Sequence, residues 1–501
     1  MKIYLREQHL EQLDAACNTP GAGSSFTIVH GRRKVGKTTL ARQYVKLHGG
    51  AYISITTQGS KLQLRDITEH LRSSFNEDSY VPVFPDWEEL FTFLFYLSKR
   101  RRFTIVMDDF LTLELVEPAG FSILKSVWDR HAASSRLNII AVIPSGEKGR
   151  GVFYDINAPL YRIPTSTLRV QPFTFKEAVR IFRVNNSFLN VRQIASIYAI
   201  FGGLPQYYAY FDRYHLWNKP IDGILQALVY SEYAPLNLEV KQVMYNEFTR
   251  ANTVYLAILR AIASGEDTLT RIAKAVDIPP THATKYLYEL EKTKGLIQRI
   301  LPVGTADAAK SKFGRYVIKN YFENFWFRFV YPVIIPMEMG RYDQLLDDLR
   351  LKLGKYIQGR LPLIVKNVLG KHLPSEMLTD LSPFTPEELG AMWNRNESID
   401  LVAFDREGKS ILYSLFAMNG GILSGTKLKE KLESVSHFNT HYKDYKSGVV
   451  VFTADELDQD AQDFCSEKGI TVLNPFALFD SATAAQETLY QPIIDLTPEE
   501  Y

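Results

Sequence analysis

Cysteine is nearly absent. The 501 residues hold two, Cys17 and Cys465, separated by most of the chain, which excludes a disulfide framework and a cysteine-built metal site and suits a reducing compartment. Charge of one sign is missing as well. Lys and Arg number 58 against 56 Asp and Glu, a formal +2, so no global field draws the chain to nucleic acid or anionic lipid and any such contact must be local. Long apolar runs are also lacking. The most apolar stretch, Phe325 to Met337, is interrupted by Arg328, Pro332 and Pro336 and falls short of the roughly 20 residues that span a bilayer. The N-terminal MKIYLREQHLEQLDAA has no apolar signal-peptide core. These absences predict a cytoplasmic protein that does not cross a membrane, and a length of 501 residues predicts about three domains.

What is present begins at Gly31. Gly31 to Thr39 reads GRRKVGKTT, a phosphate-binding loop of the form G-x4-G-K-T. Its two glycines let the backbone close around an anion with N–H groups inward, at the start of a helix. Gly31, Arg32, Arg33, Lys34, Val35 and Gly36 would make the loop, with Thr38 and Thr39 ending the motif. Lys37 would reach the β- and γ-phosphates of ATP, and the Thr38 hydroxyl would bind Mg²⁺. The flanks suit the motif: Ser25 to His30 is a β-rich apolar run, and Thr38 to Leu47 spaces Leu40, Tyr44 and Leu47 at helical intervals.

The chain then alternates. Ala51 to Ile55 reads as a strand, Leu62 to Phe75 and Trp87 to Leu97 as helices, and Phe103 to Met107 as a buried strand ending in Asp108 and Asp109. Asp108 is placed to hold the magnesium ion through water, opposite Thr38, and Asp109 to orient the attacking water. Glutamate is common at that second place. The missing methylene shortens the reach by about 1.5 Å, which predicts slow hydrolysis. A further strand, Leu137 to Ile143, leads to Ser145, readable as a γ-phosphate sensor or as a turn serine. Strands joined by helices, with nucleotide at their carboxyl ends, make a doubly wound α/β core.

Farther on, Val254, Ile258 and Ile262 share a helix face, Thr268 to Ile278 gives a second helix, and Thr281 caps a third that runs to Ile297. Leu296 to Pro302 and Arg315 to Lys319 read as the strands of a wing, completing a winged helix that is a candidate for duplex DNA. Lys285, Lys292 and Lys294 are offset by Glu289 and Glu291, while Lys310, Lys312 and Arg315 lie in the wing. Contact with DNA and a packing or self-association role, with a protein partner or a second copy, both stay open. The aromatic run from Tyr321 to Phe329 could suggest base stacking but has core spacing, with Arg328 pairing with a carboxylate or stacking on a ring. Arg341 to Leu369 is a helical connector. Ser398 to Phe404 and Ser410 to Ala417 read as paired strands, followed by a helix, Leu428 to Phe438, and strands at Gly448 to Thr453 and Ile470 to Leu473.

Taken in order, YLREQHLEQL at Tyr4 to Leu13, GRRKVGKTTL, the DDF at Asp108, APLYR at Ala158 to Arg162, FGGLPQYY at Phe201 to Tyr208 and GRYVIKNYFENFWFRFVYP at Gly314 to Pro332 resemble the archaeal-type ATPases. These belong to the STAND branch of the AAA+ P-loop NTPases and end in a domain of unknown function. The resemblance implies that Arg6 packs near the adenine and that Gly202, Gly203 and Pro205 mark a lid subdomain; as residues alone, GG-x-P also reads as a turn between helices. Arg162 and Ile163 follow Tyr161 where the family has glycine and arginine, which leaves an arginine acting on a neighbour's γ-phosphate unassigned. The last domain is expected to resemble a PD-(D/E)xK nuclease. Asp400 stands for the family's aspartate, but Leu415 and Ala417 replace the glutamate and lysine, so nuclease activity is not expected and Asp400 also reads as a structural residue.

The expected fold class is therefore α/β: a P-loop NTPase parallel-sheet core (1–172), a helical lid (173–240), a winged helix (241–335), a helical connector (336–375), a small inactive nuclease-like α/β domain (376–485) and an acidic tail (486–501). The expected function is that of an ATP-binding protein and slow Mg²⁺-dependent ATPase serving as a conformational switch. The alternative is an ATP-bound DNA-binding or scaffold protein with negligible hydrolysis, and an active nuclease ranks third.

Overall fold

The computed structural model describes residues 4–18, 23–74, 80–237, 240, 253–305, 307, 311–370, 373–378, 381, 384–418 and 421–484. The acidic tail, Phe75 and Lys310 lie outside the described residues. The chain forms two compact units. The described residues of the first lie in Met1–Pro172 and Leu204–Ala209, and those of the second in Phe173–Gly203 and Tyr210–Gln491.

The first unit is an α/β layer structure around one sheet. Strands β1 (Ser25–Gly31), β2 (Ala51–Ser54), β3 (Phe103–Asp108), β4 (Leu137–Pro144) and β5 (Ser166–Arg169) lie in the order β2-β3-β4-β1-β5, and every neighbouring pair is parallel. β1, β3 and β4 are buried along almost their whole length. A parallel strand covered on both faces has no reason to alternate, so these segments read as continuous apolar runs. β5 escaped the sequence reading because it is a four-residue edge strand with Leu168 as its one buried residue.

The helix Trp87–Leu97 shows how the core is built. Asp86 caps it by accepting from the Glu89 backbone N–H at 2.9 Å, which satisfies one of the unpaired donors of the first turn. Trp87, Leu90, Phe91, Leu94 and Phe95 then fall on one face and are buried, each contributing roughly 1.5–3 kcal/mol of apolar burial. They join Phe26 and Ile28 of β1 and Ile105 and Met107 of β3 in one cluster. In the helix Lys37–His48, Leu40 and Tyr44 are buried as expected. Leu47 is 45% exposed, because the last turn runs past the edge of the core.

In the second unit, Phe175–Val184 and Val191–Phe201 each begin with a capping box, Thr174 with Glu177 and Asn190 with Gln193. Helices Thr253–Ala263, Leu269–Val276 and Pro280–Tyr288 follow. The third starts at Pro280 with Pro279 as its cap, so Thr281 sits inside the first turn and not at the cap; proline's fixed φ suits that entry. β6 (Ile297–Ile300) and β7 (Arg315–Ile318) pair antiparallel. Phe322, Phe325, Trp326 and Phe327 are buried, Phe322 stacking on Phe201 at 5.5 Å, which makes the aromatic run core. Arg328 lies over the rings of Phe329 and Tyr356.

After the 28-residue helix Tyr342–Leu369 comes a second, mixed sheet. β8 (Glu388–Trp393), β9 (Ser398–Asp405) and β10 (Ser410–Phe416) are antiparallel neighbours. A short parallel pair joins β11 (Ile422–Leu423) to β13 (Glu456–Leu457). β12 (Lys446–Phe452) and β14 (Thr471–Leu473) extend the main sheet parallel to β10. No helix among the described residues is long and apolar enough to cross a membrane.

Candidate functional site

The sheet order of the first unit puts the carboxyl ends of β1, β4 and β3 side by side. Gly31 ends β1, and the loop from Arg32 to Gly36 turns back to start the helix Lys37–His48. Two residues adopt left-handed backbone, Lys34 at φ +68° and Gly36 at φ +87°, a geometry that turns successive N–H groups toward one point. Gly31 is required for another reason: a Cβ there would stand 2.4 Å from the Val170 carbonyl oxygen. Val35 is fully buried and anchors the loop, while Arg33 and Lys34 are exposed and Arg32, Lys37, Thr38 and Thr39 are half-buried.

Lys37 Nζ donates to the carbonyls of Gly31 at 3.0 Å and Arg32 at 2.8 Å. Burial holds its pKa below the ordinary lysine value, with Arg33 adding to that effect and Asp108 and Asp109 opposing it. Thr38 Oγ1 donates to Asp108 Oδ2 at 2.7 Å. Asp108, buried at the end of β3, also accepts from the backbone N–H of Asp109 at 2.9 Å. Asp109 has φ +50°, a conformation aspartate tolerates better than most residues, and its side chain is exposed. Even so, partial burial of the carboxylate and then the Asp108 charge raise its pKa, against the pull of Lys37 and Arg33.

Two contributors, Tyr52 and His30, were not legible in the sequence, and a third, Arg6, was expected only through the resemblance. Tyr52, on β2, donates from its hydroxyl to Asp108 Oδ2 at 2.7 Å. Arg6 is buried and donates from Nη2 to the Val35 carbonyl at 3.1 Å and the Gln171 carbonyl at 2.9 Å, so it braces the loop. His30 Nδ1 and Ser145 Oγ share a hydrogen bond at 3.2 Å, and burial, with Arg169 and Lys37 nearby, holds the histidine pKa below its usual value. Ser145 also donates its backbone N–H to the Gly31 carbonyl at 3.0 Å, which puts its exposed side chain beside the loop. Arg162 has φ +63° and lies over the Tyr161 ring.

The GG-x-P segment splits between the units. In the second, a Cβ on Gly203 would stand 1.8 Å from the Phe173 carbonyl oxygen. In the first, Pro205 Cγ lies 3.8 Å from where a Cβ on Gly36 would be, so the proline ring borders the phosphate loop.

Among the described residues, no group of three His, Cys, Asp or Glu side chains could hold a metal alone. Magnesium carried by phosphates needs only one or two protein oxygens, and the hard oxygen pair of Thr38 and Asp108 fits that demand.

In the second unit the charge of the third helix is redistributed. Lys285 and Lys292 are exposed, whereas Glu289 and Glu291 are half-buried. Glu289 accepts from the Tyr255 hydroxyl and Glu291 from the Arg299 backbone N–H. Arg315 faces Asp267 at 3.5 Å and stacks over Trp393. Lys312 is exposed. In the last sheet Leu401 pairs with Ser414, which brings Asp400 level with Leu415, while Ala417 is fully buried. Asp400, Leu415, Glu430, Lys431 and Ser434 line a cavity of about 280 Å³. Asp400 is open to solvent at its rim, yet the surrounding protein raises its pKa against Lys431 and Arg315.

Residues 326–414 match a family described as archaeal and bacterial proteins of unknown function. An uncharacterized protein of Methanocaldococcus jannaschii is 27% identical over 414 residues, covering 81% of this chain and 85% of that one. Solved structures with a similar fold include the ORC2 protein of Aeropyrum pernix in ADPNP and ADP complexes, at 15% identity and TM-score 0.43 over 68% of this chain and 96% of that one. RuvB of Thermotoga maritima is 14% identical at TM-score 0.32 over 62% and 91%. Both structural likenesses are too distant to bear on chemistry.

Proposed function

We propose that the chain binds Mg·ATP at the loop Gly31–Thr39 and hydrolyses it slowly, as a nucleotide-driven conformational switch. The observation that carries this reading is the 2.7 Å bond from Thr38 to Asp108, which joins the phosphate loop to a buried acid at the end of β3. Gly31 to Thr39 would enclose the phosphates, and Lys37 would leave the carbonyls of Gly31 and Arg32 to meet them. Thr38 and Asp108 would hold Mg²⁺, which when bound offsets phosphate charge, and Asp109 would orient water. Adenine as the base rests on the resemblance to archaeal-type ATPases. The short reach of Asp109 favours slow turnover. Leu204–Ala209, which cluster with the first unit and continue by chain into the second on both sides, are the segment through which the nucleotide state would be felt.

Replacing Lys37 with Ala in the full chain and titrating a fluorescent ATP analogue tests this reading; equal affinity in the variant and the parent rejects it. A second reading, duplex-DNA contact by the helix Pro280–Tyr288 and its continuation, is favoured by the exposure of Lys285 and the inward turn of Glu289, while the exposed Lys292 stays 3.7 Å from Glu291. It is compatible with the first. The nuclease-like domain boundaries, the lid and the winged helix belong to the same proposal, with the last domain as a non-cleaving module.

A further inference from the structure

We infer that Tyr52 is a positioning residue of the metal site, fixing which oxygen of Asp108 is left to face the magnesium shell. The inference rests on the nucleotide reading above and deepens it.

A carboxylate offers about four acceptor positions on its two oxygens. On Asp108, Oδ1 accepts from the Asp109 backbone N–H at 2.9 Å, and Oδ2 accepts from both Thr38 Oγ1 and the Tyr52 hydroxyl at 2.7 Å. Oδ2 is thus filled, and the remaining position lies on Oδ1. The terminal torsion of aspartate is broad, so a carboxylate tied by Thr38 and Asp109 alone would keep some rotation. Tyr52 removes it by adding a bond from a different strand.

The fold explains why a tyrosine does this. Ser54 of β2 is level with Asp108 of β3, and Tyr52 is level with Val106. Tyr52 and Ser54 share a sheet face, and the length of the phenol spans the two-residue offset to Asp108. The ring is held from its other side as well. The Arg42 guanidinium lies 4.6 Å from its centroid, and Arg42 belongs to the helix Lys37–His48 that carries Thr38. From β2, Tyr52 therefore meets both the helix bearing Thr38, through Arg42, and the strand bearing Asp108, through its hydroxyl. A shorter side chain at 52 would reach neither, and phenylalanine would keep the stacking while losing only the hydroxyl.

The test is Tyr52→Phe in the full chain, read by the affinity of a fluorescent ATP analogue in EDTA and across a Mg²⁺ titration. Affinity without metal is expected to stay within about two-fold of the parent, and the Mg²⁺ concentration giving half-maximal tightening to rise about ten-fold, as for loss of one hydrogen bond to a charged group. Turnover should show a fall in kcat with little change in KM. An unchanged Mg²⁺ half-point overturns the inference. So does an equal loss of affinity with and without metal accompanied by a lower Tm, which marks a structural role. If the parent chain does not bind the analogue, or binds it equally after Lys37→Ala, the nucleotide reading fails and this inference with it; a binding parent with a flat Tyr52→Phe response sinks the role of Tyr52 alone.

Discussion

Thr38 Oγ1 donates to Asp108 Oδ2 at 2.7 Å across 70 residues of sequence, so the helix after the glycine loop and the end of β3 meet at one carboxylate oxygen. Thr38→Ala removes that donor without touching the loop backbone. Binding of an ATP analogue in EDTA should be nearly retained, while the tightening produced by Mg²⁺ should drop about ten-fold or more, the worth of a hydrogen bond to a charged group. Full Mg²⁺ enhancement in the variant would remove Thr38 from the metal site.

Gly31→Ala tests backbone packing under the loop. The new Cβ would meet the Val170 carbonyl oxygen at 2.4 Å, and Val170 cannot retreat without stretching the 2.8 Å bond from its N–H to the His30 carbonyl. The expected loss is about 1–3 kcal/mol of stability, read as a lower denaturation midpoint at unchanged m-value. A neutral substitution would show that the β1 and β5 ends are looser than their contact implies.

Asp109 couples stability to pH. Its pKa is raised, first by burial and then by Asp108, so its protonated form is favoured by folding. That contribution is present below the unfolded-state pKa and disappears as pH rises through the raised folded value; at neutral pH the charge is a net cost. Asp109→Asn should raise Tm at pH 7, with the gain shrinking as pH falls into the carboxylate range. The same variant should bind ATP and turn it over more slowly. A Tm gain independent of pH would mean that the charge is not its source.

Lys285 and Lys292 supply the test of DNA contact. If both meet phosphates, the double variant Lys285→Ala/Lys292→Ala should weaken binding to unrelated duplexes about equally and lower the slope of log affinity against log salt by about 2. Unaltered salt dependence in a gel-shift titration would assign that face to another role.

The cavity at Asp400 is expected not to cleave DNA. On the resemblance to a nuclease, Leu415 and Ala417 would stand where a carboxylate and an amine are needed, and neither side chain can ligate metal or stabilise phosphoryl charge. Supercoiled plasmid incubated with the full chain and Mg²⁺ should stay intact. Nicking that disappears in Asp400→Ala would restore the nuclease reading.

Much of this was legible locally. The spacing of Gly31, Gly36, Lys37 and Thr38 and the apolar run ending at Asp108 depend on backbone freedom and strand burial over a few residues, and both leave marks in sequence. The aromatic run at Tyr321 to Phe329 was readable as core for the same reason. β5 was not, because an edge strand with one buried residue carries no pattern. The charges of Glu289 and Glu291 cancelled those of the lysines on paper, since a helical repeat shows which residues share a face but not that Tyr255 stands ready to draw Glu289 inward, while Glu291 still pairs with Lys292 at 3.7 Å.

The sequence alone determined that a glycine loop would be followed by a helix and that the strand from Phe103 would end in two aspartates. Only the tertiary structure decided what surrounds Asp108. Strand order brings β2 against β3 in the register that sets Ser54 level with Asp108, and that register delivers the Tyr52 hydroxyl to the oxygen Thr38 already holds. Arg6 reaches the Val35 carbonyl, and His30 the Ser145 hydroxyl, by the same means. Hydrogen bonds between residues distant in sequence depend on sheet order and register, which are settled by the packing of the whole core and leave no local signature in the chain.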